Sequence, residues 1–481
     1  MRGARMTSRR LALSLGAALP WVVASGGDAW AQDAPSQPVP APAVEIPRPG
    51  RTVTLPEALS YAHDHQPGLL AALARVEARK AAAAIPTGQW LPSVGATAQI
   101  FAATANNTTA TYVQVPFMDI PRIGATPAVS SGSWGPYAST LVGAGLTQQV
   151  FDFGRIAAER AAADGVVDVE KHRADQVRLD IDFGVEESFY AVFAAKEVVS
   201  ASEQAYERSR VHRDFAKRGV DSGLRPPIEL TRAEADLDRF DVGRIRARGG
   251  LAIAQSGLAA AIGAPDAAVD AAGNPPALAE MPALDEALRL ALARDPRIVE
   301  ALALLEAAEK QTRAAGAELR QDLSLTATVT GRAGGAPPSS GPTAGGDGWV
   351  PDVPNWNAGL VLSWPLFDGV LAARSNAARA EERIYHDEID VAREAQLAAV
   401  RQAYVRIEAA RSALVALQNG VVAARANYEQ ADARFRAGIA TAVEVADAEA
   451  VRADADIQLA VGRFEVARTR AALGRLIAET L

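Results

Sequence analysis

Cysteine does not occur anywhere in the 481 residues, which excludes disulfides, thiolate metal sites and a lipid anchor on an N-terminal cysteine. Methionines number only four, too few to support a methionine relay for copper. Histidines number five. His63 and His65 flank Asp64 and read as solvated side chains of a polar helical turn, while His172, His212 and His386 lie apart on long helical stretches. Beyond residue 31 no stretch supplies the roughly 18 consecutive apolar residues of a transmembrane helix, so any membrane location must be reached through strands. Positive charge is also scarce. Residues 32–481 carry 45 basic against 56 acidic side chains, a net charge of about −11, which excludes nucleic acid as a natural partner. An exported enzyme would need a convergent nucleophile, acid or metal cluster, and the sequence shows none.

What is present begins with a secretory leader over 1–31: Arg2, Arg5, Arg9 and Arg10, an apolar run from Leu11 to Ser25, and Ala29-Trp30-Ala31 before Gln32. Residues 32–50 hold Pro35, Pro38, Pro40, Pro42, Pro47 and Pro49 and read as an extended segment. The remainder is a duplication, with a first repeat over 51–263, a mid-chain linker over 264–283 and a second repeat over 284–481. Leu55, Glu57, Ala58, Leu59, Ala62, Pro67 and Glu77 match Leu284, Glu286, Ala287, Leu288, Ala291, Pro296 and Glu306 at an offset of 229.

Each repeat opens on an alanine-rich helical pattern, Leu55 to Leu91 with a bend expected at Pro86, and 284 to 319 in the second copy. Period-two strands follow. Val94, Ala96, Ala98 and Ile100 share one face, Leu323, Leu325, Ala327 and Val329 another, and Trp356, Ala358, Leu360, Leu362 and Trp364 alternate with polar neighbours. A further strand ends in QQVFDFGR, matched at offset 216 by SWPLFDGV; Phe151 and Phe367 there read as packing anchors between strand and helix. Long helical patterns come next, Arg155 to about Arg218 and Gly369 to about Ala437; the first alone would span roughly 96 Å at 1.5 Å per residue, beyond any use in a globular domain. In the second, Val400, Ile407, Leu414, Val421, Tyr428 and Phe435 recur every seven residues, with Ala403, Ala410, Leu417, Ala424 and Ala431 three places later. That is a left-handed seam of large residues against small ones.

Both long helices end in the same grammar. GVDSGLRPPIELTRAEA and ARFRAGIATAVEVADAEA align at offset 215, placing Gly223 over Gly438, Ile228 over Val443, Glu229 over Glu444 and Glu234 over Glu449. Each reads as a helical-hairpin tip with a helix-ending glycine and an acid in the next helix's first turn. Four strands cannot close a membrane barrel, for which about eight is the lower bound, so several copies must share one.

In their order and duplication, LPEALSYAHDHQP and ALDEALRLALARDP, the exits QQVFDFGR and SWPLFDG, and the tip RAGIATAVEVADAEA resemble the TolC family of outer-membrane efflux proteins over nearly all of the mature chain. The resemblance implies a mainly α fold with a membrane β-barrel portion: a homotrimer sharing twelve strands in outer-membrane lipid, a periplasmic helical barrel, and an equatorial region at the linker. It further implies a passive exit duct docked to a periplasmic adaptor and an inner-membrane pump, or alternatively the channel of type I protein secretion. Carried over by position, Glu444 and Asp447, Glu229 and Phe435 are the expected periplasmic constriction, and Gly223 and Gly438 its turns. Arg232 stands where a second acid would repeat, and Ala440 where a gate-pairing base is expected. Trp134, Tyr137, Trp349, Trp356 and Trp364, near strand ends, are expected as membrane-interface aromatics. A periplasmic adaptor would instead show one helical hairpin within β-rich halves.

Overall fold

The computed structural model describes residues 51–104, 114–115, 118–119, 136–267, 269–273, 281–334 and 354–478, all within one compact unit spanning 47–481. The leader, the Pro-rich segment, Trp134 and Trp349 lie outside the described residues, and Tyr137 enters only as a backbone position. In chain order the elements are β1 (Arg51–Val53), α1 (Leu55–His65), α2 (Pro67–Ala83), α3 (Ile85–Gly88), β2 (Ser93–Thr104), β3 (Gln114–Val115), β4 (Met118–Asp119), β5 (Pro136–Phe151), α4 (Arg155–Asp221) and α5 (Pro227–Ala261). The second half continues with β6 (Val269–Ala271), α6 (Leu284–Arg294), α7 (Pro296–Ala317), β7 (Asp322–Gly334), β8 (Pro354–Ser363), α8 (Gly369–Arg436) and α9 (Ala442–Ile477).

The first long helix, 67 residues, runs three residues past its pattern to Asp221, and the second, 68 residues, ends one residue short of its pattern at Arg436. The opening helices differ more. The sequence predicts one rod bent at Pro86, whereas the main break falls at Gln66, extended at ψ 116°, with its counterpart at Asp295, extended at ψ 123°. Each precedes a proline, Pro67 or Pro296, whose ring crowds the preceding residue out of the α region. The carboxylate of Asp295 then accepts from the Arg297 amide at 2.8 Å and caps the new helix. A second, smaller interruption at Ala84 does fall beside Pro86.

The seam of α8 is buried as its heptads require: Val400, Ile407, Val421, Tyr428 and Phe435 face inward with Ala403, Ala410, Ala424 and Ala431. The duplication extends to the cores. Ala58, Ala62, Val185, Val192, Leu258 and Ile262 form the first cluster, and their matches Ala287, Ala291, Val400, Ile407, Leu473 and Ile477 form the second. Close helix approach is set by small residues, as where Gly165 of α4 faces the Ala307 backbone of α7; a Cβ there would come within 3.0 Å of it.

The linker is more than a connection. Its β6 pairs in parallel with β1, Arg51 opposite Val269, and Val53, Val269 and Ala271 are buried in the first cluster. Three residues are too few for a period-two signal, so only the tertiary structure reveals this pairing. His63 and His65 are half-buried and partnered, not freely solvated. His63 Nε2 lies 2.5 Å from Asp182 Oδ1, and His65 stacks on Tyr61 while its Nδ1 lies 3.0 Å from the Tyr61 carbonyl. Each histidine finds a partner because α1 packs onto α4 and its own preceding turn. No group of three or more potential metal ligands occurs among the described residues.

The strands form one antiparallel sheet in the order β2-β5-β7-β8. Its register aligns Val94 with Leu146, Ala144 with Val329, and Val329 with Trp356. Because directly opposed residues share a face, an apolar row crosses all four strands: Ala98, Val142 and Ala144, Ala327 and Val329, Trp356 and Ala358. This row is exposed, with Val94, Ile100, Trp356 and Leu360 each more than half accessible. Among the described residues β2 and β8 are edges without a partner.

Candidate functional site

The two tips are built alike. At the end of α4, Gly223 takes φ +71°, its amide bonds the Val220 carbonyl, and the Leu224 amide bonds the Gly219 carbonyl. At the end of α8, Gly438 takes φ +76°, with Gly438 amide to Phe435 and Ile439 amide to Arg434. Left-handed φ is the reason glycine occupies both positions, and the amide reaching back five residues satisfies a helix-end carbonyl that would otherwise be bare. Pro226 and Pro227 start α5, whereas Thr441 caps α9 by accepting from the Glu444 amide at 3.3 Å.

The tips differ in what surrounds the acids. Glu444 and Asp447 are exposed; Arg434 Nη1 lies 3.6 Å from the Glu444 carboxylate, and Asp447 makes no ion pair or hydrogen bond among the described residues. Glu229 is half-buried and held by Arg225 Nη1 at 2.7 Å. Arg225 is the repeat partner of Ala440, so the base missing from the second tip is present in the first. Its guanidinium also lies 4.1 Å above the Phe435 ring and 5.1 Å above Phe215, a cation–π contact joining one tip to the other. Arg232 is exposed.

Phe435, expected to line the constriction, is only 3% exposed, packed with Tyr428, Ala431, Val445 and Ala448 and against Phe215. Its apolar ring gains more from this core than from water. It holds the tips together.

Immediately behind the tips lies a polar network the sequence reading missed. Glu449 is 2% exposed and takes the Arg208 Nε–H between its two oxygens, 2.9 Å from each. Burial raises the Glu449 pKa above the ordinary carboxylate value, and Arg208 and Arg452 oppose that rise. Its repeat partner Glu234 is exposed. Tyr428 stands beside it with its hydroxyl 3.1 Å from His212 Nε2; burial, reinforced by Glu449 and Asp432, pushes the phenol up to about 12. His212 is pushed below the ordinary imidazole value by burial, against the pull of Asp432 at 3.7 Å. These groups border a crevice of about 30 Å³ lined by His212, Phe240, Phe435, Val445 and Glu449, room for roughly one water molecule. The seven-residue spacing that brings Tyr428 and Phe435 onto one face was the available signal; the contributions of Arg208 and His212 from α4 had none.

Of the remaining expected residues, Trp356 and Trp364 are exposed at opposite ends of β8, 74% and 55% accessible.

Two rods of more than 65 residues, a strand sheet with an outward apolar face, and paired tips at the rods' far ends define an envelope-channel type of protein. The chain belongs to the outer membrane efflux protein family, whose pattern matches residues 58–264 and 287–479. It is 28% identical over 459 residues to protein CyaE of Bordetella pertussis, covering 92% of this chain and 90% of that one. Its fold is that of the Campylobacter jejuni CmeC outer membrane channel, with a TM-score of 0.67 at 16% identity, covering 88% of this chain and 85% of the other. The outer membrane protein VceC of Vibrio cholerae superposes with a TM-score of 0.65 at 17% identity, over 88% and 96% of the two chains.

Proposed function

We propose that three copies of this chain share one twelve-stranded barrel in the outer membrane and form a passive exit duct. The duct takes its cargo from an inner-membrane pump through a periplasmic adaptor that docks on the helical portion. The observation that carries this reading is the four-stranded sheet with one exposed apolar face and two unpaired edges. Lipid tolerates neither open edge, and edge-to-edge closure by further copies satisfies both. The exposed tryptophans of β8 would then meet the membrane interface.

In that assembly the tips form the inner end of the duct. Glu444 and Asp447, exposed and only weakly compensated by Arg434, would ring its axis and favour cations, while Glu229 is neutralised by Arg225. The test combines fractionation with conductance. Heat-modifiable trimers in the outer-membrane fraction are expected, and recovery only in the soluble periplasm would reject the proposal. In planar bilayers E444A/D447A should lower cation preference relative to wild type; unchanged selectivity would remove these acids from the throat. A clean deletion, scored in parallel for drug sensitivity and for loss of secreted proteins, separates small-molecule efflux from type I secretion.

A further inference from the structure

Toward the tips the helices pack side by side in the order α5-α4-α9-α8, which leaves α5 and α8 as the outer members of the layer. The free face of α8 lies opposite its buried heptads. Ile384, Val391, Val405, Val415 and Val422 stand on it, each more than half exposed. Along its middle, stepping by four and three residues from Val391 to Ala433, every position is exposed and none is charged. A helix with apolar residues on two opposite faces calls for two partners, and its own chain supplies one. Beside that face, Glu429 is exposed and makes no ion pair or hydrogen bond among the described residues.

The free face of α5 is apolar as well, with Ile228, Val242, Ile245 and Ile253 exposed, but it adds an arginine every seven residues: Arg232, Arg239 and Arg246. No acid interrupts the row they share with Ile228, Val242 and Ile253. Arg232 and Arg246 make no ion pair or hydrogen bond among the described residues, whereas Arg239 reaches Asp236 of its own helix at 3.3 Å. The two outer faces are thus alike in apolar character and complementary in charge at the tip.

Their heights agree too. Arg225, two residues past Gly223, lies over the ring of Phe435, three residues before Gly438, so the tips stand level within about one helical turn. Arg232 and Glu429 are each nine residues from their tip glycine. Arg239 and Arg246 are as far from Gly223 as Val422 and Val415 are from Gly438, and an arginine stem can cover a valine while its head stays in water. Rotation about an axis along the rods preserves these heights from copy to copy.

We propose that the arginine-bearing face of α5 docks on the free face of α8 of another copy of this chain, with Arg232 paired to Glu429 across the contact. The two faces differ, so each copy offers one and receives the other, and the contact closes head to tail into a ring. The inference rests on the shared assembly proposed above. It gives Arg232, which interrupts the acidic pattern of the tips, a partner that its own chain lacks among the described residues.

Because the chain has no cysteine, introduced ones report the contact alone. In the full-length, detergent-solubilised protein, A235C on the outer row of α5 is combined in turn with A423C, A426C and Q430C, which bracket its height on α8 by about a turn either way. Oxidation should join at least one pair into covalent dimers and trimers on a non-reducing gel, and should join none of the single variants. Heat-modifiable trimers without a link in any pair overturn the docking and leave the trimer standing; a chain that forms no trimer rejects both. Arg232 and Glu429 are exposed, so charge reversal leaves the fold of the single chain intact. R232E and E429R should each raise the dissociated fraction at a fixed temperature by about tenfold, and R232E/E429R should return it to near the wild-type level. Single variants as stable as wild type, or a double variant no better than either, overturn the pairing.

Discussion

The Arg208–Glu449 pair offers the sharpest quantitative test of how the tips are held. Replacing Arg208 with methionine keeps most of the side-chain volume but leaves the Glu449 carboxylate inside the α4–α9 contact, 2% exposed and without its Nε–H donor. Removing one partner of a buried pair costs about 3–5 kcal/mol, because the remaining charge stays desolvated. Since 1.36 kcal/mol is a factor of ten, local opening of the α4 and α9 amides should become at least about 100-fold more frequent. Hydrogen exchange in those helices measures this directly.

The pH dependence has a definite sign. Glu449 is already raised above its ordinary value by burial, and losing Arg208 raises it further. A carboxyl raised in the folded state contributes stability that is complete below its unfolded value near 4.5 and lost as pH rises through the folded one. The deficit of R208M should therefore be largest at pH 8 and shrink toward pH 5. In R208M/E449L, where both charges are gone, protection should return to near the wild-type level. Wild-type exchange in R208M, or a double variant no better protected than the single, would refute the reasoning.

Two further outcomes follow from the same packing. G165A should destabilise by about 1–3 kcal/mol, because the Ala307 backbone must move aside, whereas G250A, with open space around its Cβ, should stabilise by about 0.5–1 kcal/mol; thermal melts of the two variants decide it. His212, held below its ordinary value of 6.5, contributes stability present above that pH and lost as pH falls through it and below, so tip amides should exchange faster at pH 5 than at pH 7.5, beyond the intrinsic chemical rate, with H212Q flattening the dependence.

Most of the fold was legible before any coordinates. Strands alternate, helices repeat in sevens, and the two halves share their order, so local pattern and duplication define the elements and both tips. Gly223 and Gly438 were readable because only glycine takes a left-handed φ without strain. The helix breaks at Gln66 and Asp295 were also readable in principle from Pro67 and Pro296; the alanine-rich periodicity across them concealed the signal.

What the sequence alone determined is the set of contacts between residues near in the chain or equivalent by repeat, because periodicity and turn chemistry act over one or two helical turns. Only the tertiary structure decided which tip acid is neutralised, since Arg225 could equally have remained solvated, and that Phe435 enters a core with Phe215. It alone brought Arg208 and Glu449 together across 241 positions and paired β1 with β6. Such contacts depend on how separate helices align, and no local pattern records that alignment.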